Sequence, residues 1–247
     1  MIKFFVKPED ISGKHIYIEK KEDIKHLVKV LRCKVGDEIS ISDGEEWEYE
    51  TEIEDIDESC VTLVITDRQK FATEPSVKVT LYQGVPKAQK METVIQKTVE
   101  LGVNRIVPVF MERTVVVEKG NFDKKLDRWQ KISDEAVKQC KRGIIPEVSK
   151  GVNFKEMILE IKTCDYDIVL LPYEAEDGRT IKDALRGKTA GKIAIIIGPE
   201  GGFSDEEINL AKESINGVEI VTLGRTILRT ETAGLAALAM TMYELEL

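Results

Sequence analysis

The run Ile193-Ala194-Ile195-Ile196-Ile197 constrains the fold of this chain more than any other stretch. Five consecutive apolar residues without polar alternation leave no face for water. They suit a strand buried on both sides, within a parallel sheet covered by helices. Gly198-Pro199-Glu200-Gly201-Gly202 follows directly, and its three glycines permit a tight turn and close backbone approach to a ligand. Ser204 and Glu207 form a capping box that starts the next helix. The order is strand, ligand loop, helix. Phosphate is a poor ligand for that loop, because Asp205, Glu206 and Glu207 already occupy the positive end of the helix dipole. The spacing also lacks the dinucleotide fingerprint and the P-loop lysine.

A second centre follows the short apolar strand Val218 to Val221. It is the loop Leu223-Gly224-Arg225-Thr226-Ile227-Leu228-Arg229-Thr230-Glu231-Thr232, dense in polar residues, which enters an alanine-rich helix. The strand ends at Leu171-Pro172, at Ile197-Gly198-Pro199 and at Leu223-Gly224 are expected to converge at one edge of the sheet. Crevices beyond the carboxyl ends of parallel strands are where open α/β folds bind ligands.

The first 70 residues have a different rhythm. Ile2 to Val6, Ile16 to Ile18, Ile39 to Ser42 and Val61 to Ile65 read as short strands, and Asp43-Gly44 as a hairpin turn. Glu46, Glu48, Glu50, Glu52 and Glu54 alternate with Trp47, Tyr49, Thr51 and Ile53, so period two puts all five carboxylates on one face. That face is expected in solvent. Several short strands together suggest a small barrel. One helix, Glu22 to Leu31, interrupts them, with Ile24, Leu27, Val28 and Leu31 inward and Lys20, Lys21, Lys25, Lys29, Arg32 and Lys34 around it. Those cations make either an RNA-contacting edge or an ordinary solvated face.

Residues 71–76 read as a linker, giving domains at 1–72 and 73–247. Beyond it strands alternate with longer helices, the mark of a parallel α/β sheet. Val77 to Gln83 and Arg105 to Phe110 read as strands flanking a helix from about Lys87 to Leu101. A long helix from Phe122 to Arg142 turns Leu126, Trp129, Ile132, Ala136, Val137 and Cys140 inward. Trp129 therefore reads as core. Lys138, Lys141 and Arg142 belong to its outward charges, a second candidate RNA surface with the same plain alternative.

The net charge of −9 argues against nucleic acid only until its distribution is considered. Residues 1–72 hold 11 Lys and Arg against 18 Asp and Glu, and the remaining residues carry only −2. Ten carboxylates lie between Asp43 and Glu58, so a basic surface elsewhere is permitted. Cys33, Cys60, Cys140 and Cys164 are widely spaced, with only His15 and His26 as imidazole partners, so no metal site or disulfide framework is expected. No stretch approaches the length of a membrane span. Met1 to Phe5 do not open a signal peptide, so a cytoplasmic location is expected.

The pair GPEGGFSDEE and LGRTILRTETA resembles the cofactor end of the SPOUT methyltransferases, specifically the RsmE type that methylates N3 of a uridine in bacterial 16S rRNA. Two further stretches agree: His26-Leu27-Val28-Lys29-Val30-Leu31-Arg32, and Lys90-Met91-Glu92 through Gln96-Lys97 to Glu100-Leu101-Gly102-Val103. The resemblance implies an N-terminal PUA-like RNA-binding barrel, followed by an α/β domain with a trefoil knot that holds S-adenosylmethionine. It also implies a homodimer with the last helix in its interface, and the small ribosomal subunit as partner. Cofactor contacts are then expected from Leu171, Pro172, Ile197, Gly198, Pro199, Glu200, Gly201, Gly202, Leu223, Gly224, Ile227, Leu228 and Thr230.

Uracil N3 attacks a methyl group only after losing its proton, so the protein must position the base and stabilise its developing charge. Arg229 is the first choice for holding the uracil anion or a phosphate. Glu231 is the candidate proton acceptor, directly or through water, with a plain helix-start carboxylate as the alternative. Glu200 carries the same ambiguity. Arg225 either orients a backbone phosphate or is merely solvated. No His or Cys lies nearby to act as a nucleophile, so no covalent mechanism is expected. Competing readings are a related enzyme acting on another rRNA or tRNA base, and a non-catalytic RNA-binding assembly factor.

Overall fold

The computed structural model describes residues 3–71, 73–116 and 122–246. Ile2 of the expected first strand and Ala72 of the expected linker lie outside the described residues. The chain divides into two compact units, Met1–Glu74 with Val137–Ile145, and Pro75–Ala136 with Pro146–Leu247.

The first unit contains β1 (Lys3–Phe5), β2 (Ile11–Ser12), β3 (His15–Ile18), α1 (Lys21–Lys25), β4 (Glu38–Ser42), β5 (Trp47–Ile56) and β6 (Val61–Lys70). They form one sheet in the order β1-β4-β5-β6-β3-β2, antiparallel except for β1 beside β4. Phe4, Ile16, Ile39, Ile41, Ile53 and Leu63 share a single core with Ile24 and Leu27, as in a curled, barrel-like sheet. The hairpin at Asp43 is held by its own side chain: Oδ1 accepts from the N–H groups of Glu45, Glu46 and Trp47 at 2.9, 2.9 and 3.0 Å.

Two expectations change here. The glutamate face of β5 is not wholly in solvent, since Glu48 pairs at 2.8 Å with the buried Lys3 and Ser40 donates to Glu50 at 3.0 Å. The cause is register: Lys3 stands opposite Ser40, and Ser40 opposite Glu50, so β1 brings a cation to the same face. The helix after Lys20 also widens. His26–Leu31 follows α1 as a π-helical turn, ended by Arg32 in the left-handed region at φ 58°. The wider turn breaks the 3.6-residue rhythm and leaves Val28 exposed, while Ile24 and Leu27 stay buried.

Arg142 is a further correction. Its side chain is only 5% exposed and its guanidinium donates to Glu74 at 2.7 Å, whose carboxylate also accepts from the Gly143 and Ile144 N–H groups at 2.8 and 3.1 Å. A buried, bidentate-capable cation so engaged is a structural brace, not an RNA contact. Lys3 Nζ donates to the Lys141 carbonyl at 3.0 Å and Ser42 Oγ to the Gly143 carbonyl at 2.6 Å, so residues 137–145 are tied into the first unit.

The second unit follows the β-then-α alternation. It comprises β7 (Lys78–Gly84), α2 (Lys90–Glu100), β8 (Arg105–Phe110), the first part of α3 (Phe122–Cys140), β9 (Glu147–Val148), β10 (Val152–Asn153), α4 (Phe154–Thr163) and β11 (Ile168–Pro172). It continues through α5 (Ile181–Leu185), β12 (Lys192–Ile197), α6 (Asp205–Ser214), β13 (Val218–Val221) and α7 (Thr230–Glu246). The strands are parallel, in the order β10-β8-β7-β12-β11-β13, with β9 also on β8. The isoleucine-rich β12 lies between β7 and β11, and Ile193 to Ile197 are all buried, as its unbroken apolar run requires. Helices α4 and α6 share a core with one face of the sheet, while α7 packs on α2, α5, β7 and β12. Trp129 is buried, as expected. Helices α4 and α5 were not expected from the sequence, although each opens on a capping box, Asn153 with Glu156 and Thr180 with Asp183. No helix among the described residues is long and apolar enough to cross a membrane.

Candidate active site

The carboxyl ends of β11, β12 and β13 frame a cavity of about 460 Å³. Pro172, Tyr173 and Glu174 come from the first loop, Ile197 to Phe203 from the second, and Thr222 to Thr230 from the third. Lys90 from α2 and Ala233 from α7 complete the wall. Of the residues expected around a cofactor, Pro172, Ile197, Gly198, Pro199, Glu200, Gly201, Gly202, Leu223, Gly224, Ile227, Leu228 and Thr230 line this cavity. Leu171 does not. Strand alternation turns its side chain into the core with Phe203 and Ile208, fully buried.

Local chemistry fixes the second loop. The Ser204 cap accepts from the Glu207 N–H at 3.3 Å, and the buried Glu207 carboxylate accepts from the Ser204 and Glu112 N–H groups at 3.0 and 2.9 Å. Gly202 sits at φ 69°, the left-handed region that glycine enters without strain. At Gly201 the need is packing, since a Cβ there would stand 2.8 Å from the Arg113 Cβ. Thr230 Oγ1 donates to the Gly198 carbonyl at 2.6 Å and accepts from Gln83 Nε2 at 2.9 Å, joining the loop to β7 and to the start of α7.

Gly84 tightens the same junction. A Cβ on it would lie 2.5 Å from the Pro199 nitrogen and 2.8 Å from the Gly198 carbonyl carbon, both backbone atoms. Gly84→Ala is therefore expected to push the loop outward, with a loss of about 1–3 kcal/mol typical of overpacking. Thermal unfolding and ligand titration should both register it; an unchanged melting temperature would show that the loop yields freely.

The charged groups are distributed unevenly. Arg225 and Arg229 stand exposed at the rim with Ile227 between them. Glu200 accepts at its Oε1 from the Lys87 N–H at 3.0 Å and from Lys90 Nζ at 3.1 Å. Burial pushes the Glu200 carboxyl up, but those two donors outweigh it and hold it below the ordinary value. The Lys90 ammonium is held above its ordinary value by Glu200 first, against desolvation, and then by Glu231. Glu231 does not line the cavity; its Oε2 lies 3.3 Å from Lys90 Nζ, at ion-pair distance without hydrogen-bond geometry.

Outside this site, Lys25, Lys29, Arg32, Lys138 and Lys141 are exposed. Lys90, Tyr173, Glu174, Phe203, Thr222, Thr226 and Ala233 line the cavity without having been singled out as ligand contacts. For Lys90 a signal was available. A lysine as the first residue of a helix opposes the macrodipole, so it needs a partner elsewhere.

Residues 73–242 match the RNA methyltransferase domain family, and residues 10–66 the RNA methyltransferase PUA domain. Ribosomal RNA small subunit methyltransferase E of Bacillus subtilis is 31% identical over 92% of this chain and 89% of its own length. The chain belongs to the ribosomal RNA small subunit methyltransferase E family. The Aquifex aeolicus methyltransferase E is 32% identical over 92% of this chain and 94% of its own. The crystal structure of methyltransferase E from Neisseria gonorrhoeae bound to S-adenosyl methionine has a TM-score of 0.83 at 30% identity, covering 99% of this chain and 98% of that one. The methyltransferase E fold thus accounts for both units. The PUA match coincides with the barrel-like first sheet, and the methyltransferase match with the parallel sheet that carries the cavity.

Proposed function

We propose that the protein transfers a methyl group from S-adenosylmethionine to N3 of a specific uridine in the 16S rRNA of the small ribosomal subunit, working as a homodimer. The observation that carries the reading is the cavity at the carboxyl ends of β11, β12 and β13, rimmed by Arg225 and Arg229. Its volume of about 460 Å³ falls in the range of small-molecule sites. Its residues fit the cofactor: Gly198, Gly201, Gly202 and Gly224 leave backbone open along the wall, and Glu174 offers a carboxylate to a cationic ligand, Glu200 being taken by Lys90. Pro172, the stretch Ile197 to Gly202, Leu223, Gly224, Ile227, Leu228 and Thr230 would hold it, in loops that belong to a trefoil knot.

When bound, S-adenosylmethionine supplies an electrophilic methyl group. The remaining work falls to side chains. Arg229 holds the uracil as negative charge develops on it. Glu231 takes the N3 proton, directly or through one water. Residues 1–72 act as the RNA-binding domain and 73–247 as the methyltransferase domain. Lys25, Lys29, Arg32, Lys138, Lys141 and Arg225 contact the RNA, where phosphate neutralisation supplies most of the affinity.

The test is transfer of labelled methyl from S-adenosylmethionine to small subunits lacking base methylation, compared with naked 16S rRNA and tRNA, followed by mapping of the modified base. Label at a uridine N3 in subunits is expected; label elsewhere, or on tRNA, would overturn the substrate. For the RNA surface, Lys25→Glu with Lys29→Glu is expected to weaken subunit binding and to flatten the slope of log affinity against log salt by about 1.5, the loss of two phosphate contacts. An unchanged slope would remove that edge from the interface.

A further inference from the structure

We infer that Lys90 is a positioning residue for methyl transfer: its ammonium holds the Glu231 carboxylate in place as proton acceptor while anchoring the cofactor loop through Glu200. The inference rests on the function proposed above and adds a residue to it.

Three observations converge on this side chain. Lys90 Nζ lies 3.1 Å from Glu200 Oε1 and 3.3 Å from Glu231 Oε2, so one cation joins the loop after β12 to the first turn of α7. Both elements frame the cavity, which Lys90 itself lines. Among the described residues, Lys90 is the one cation within ion-pair distance of either carboxylate. Nearby charges are otherwise engaged or point elsewhere: Glu92 is paired with Arg128 at 2.9 Å, Glu200 also takes the Lys87 N–H, and Arg225 and Arg229 stand at the rim.

The second argument is local cost. As the first residue of α2, Lys90 places a positive charge at the positive end of the helix dipole, where an acidic residue is favoured. A residue that breaks a local rule is expected where function repays it. Without the ammonium, the two carboxylates that now share it would be left close together with no cation between them, and like charges repel. Among the described residues Glu231 Oε2 is buried, accepts no hydrogen bond and has Lys90 as its one ion-pair partner. In the reaction the N3–H bond breaks and the proton passes to Glu231; the N3 electron pair would then form the bond to the methyl carbon as the carbon–sulfur bond breaks, its electron pair staying on the sulfur, which would leave as the neutral thioether S-adenosylhomocysteine. A carboxylate free to rotate or to pull away from Glu200 performs that step poorly.

The experiment measures kcat and KM of labelled-methyl transfer for wild type, Lys90→Met, Lys90→Arg, Glu231→Gln and the Lys90→Met/Glu231→Gln double variant. Melting temperature and cofactor binding are followed in parallel. Lys90→Met is expected to lower kcat about 100-fold, within what a positioned general base contributes, with little change in KM for RNA. Lys90→Arg should restore most of the rate. The double variant should be no slower than Glu231→Gln, as expected for two groups acting as one unit.

Wild-type kcat in a folded Lys90→Met protein would overturn the inference, and so would full additivity with Glu231→Gln. If Lys90→Met loses activity only through unfolding and Lys90→Arg fails to rescue a folded enzyme, Lys90 is structural and the inference falls. Absence of transfer by the wild type itself would overturn the underlying function, which the parallel wild-type assay reads separately.

Discussion

Arg229→Ala should remove methyl transfer while leaving cofactor binding largely intact. Arg229 is exposed at the rim of the cavity, on the residue preceding α7, and among the described residues it forms no ion pair. A planar cation left unpaired at the mouth of an apolar-walled site is available to a ligand that carries or develops negative charge. Truncation deletes no internal contact of consequence, so the fold should persist. The loss of one donor aimed at developing charge lowers kcat by about 10²–10³-fold, or roughly 3–4 kcal/mol of transition-state stabilisation. Isothermal titration with S-adenosylmethionine should give near wild-type affinity, and labelled-methyl assays should show the loss. A variant that transfers at the wild-type rate would take Arg229 out of the reaction.

Arg142→Ala should have the opposite signature. Here the guanidinium is buried against Glu74, and removing it strands a carboxylate that is itself only 12% exposed. Breaking one partner of a buried pair typically destabilises by about 3–5 kcal/mol. The Gly143 and Ile144 N–H groups still hold Glu74, which favours the lower end, about 3 kcal/mol. Urea unfolding should report it, and the salt slope of RNA binding for the folded fraction should not move. A stable variant with a flattened salt slope would return Arg142 to the RNA surface.

The contrast between these two arginines marks what sequence alone discloses. Ile193 to Ile197 declare a doubly buried strand because no other environment hides five apolar residues in a row, and Ser204 with Glu207 declare a helix start because the cap is local. The convergence of the loops after Pro172, Ile197 and Val221 followed from the parallel-sheet rule alone. Partners distant in sequence were hidden. Nothing in the charge run around Lys141 indicates that Arg142 turns inward to Glu74, or that Lys3 reaches Glu48 across the sheet. Lys90 was legible as part of a motif but not as a bridge, since its two carboxylates lie more than 100 residues away. Leu171 was misplaced by one step of strand alternation, and Val28 by a π-turn that periodicity does not anticipate. Helix α4 carried its signal openly in Phe154, Met157, Ile158 and Ile161, all buried, behind the Asn153 cap.

The position of β12 also has a consequence for how the polypeptide reaches this structure during synthesis. Lys192 to Ile197 pair with Lys78 to Gln83 on one side and with Ile168 to Leu170 on the other, so the strand that closes the middle of the sheet emerges late. Until then β7 and β11 carry unpaired, apolar edges on the nascent chain. Pairings of such long sequence separation slow folding and leave intermediates open to aggregation. The first sheet waits as well, because Val137–Ile145 belong to its unit and leave the ribosome long after β6. An enzyme whose proposed substrate is the ribosome would thus itself be a demanding product of one, and chains terminated before Ile197 should be the ones that chaperones and proteases find.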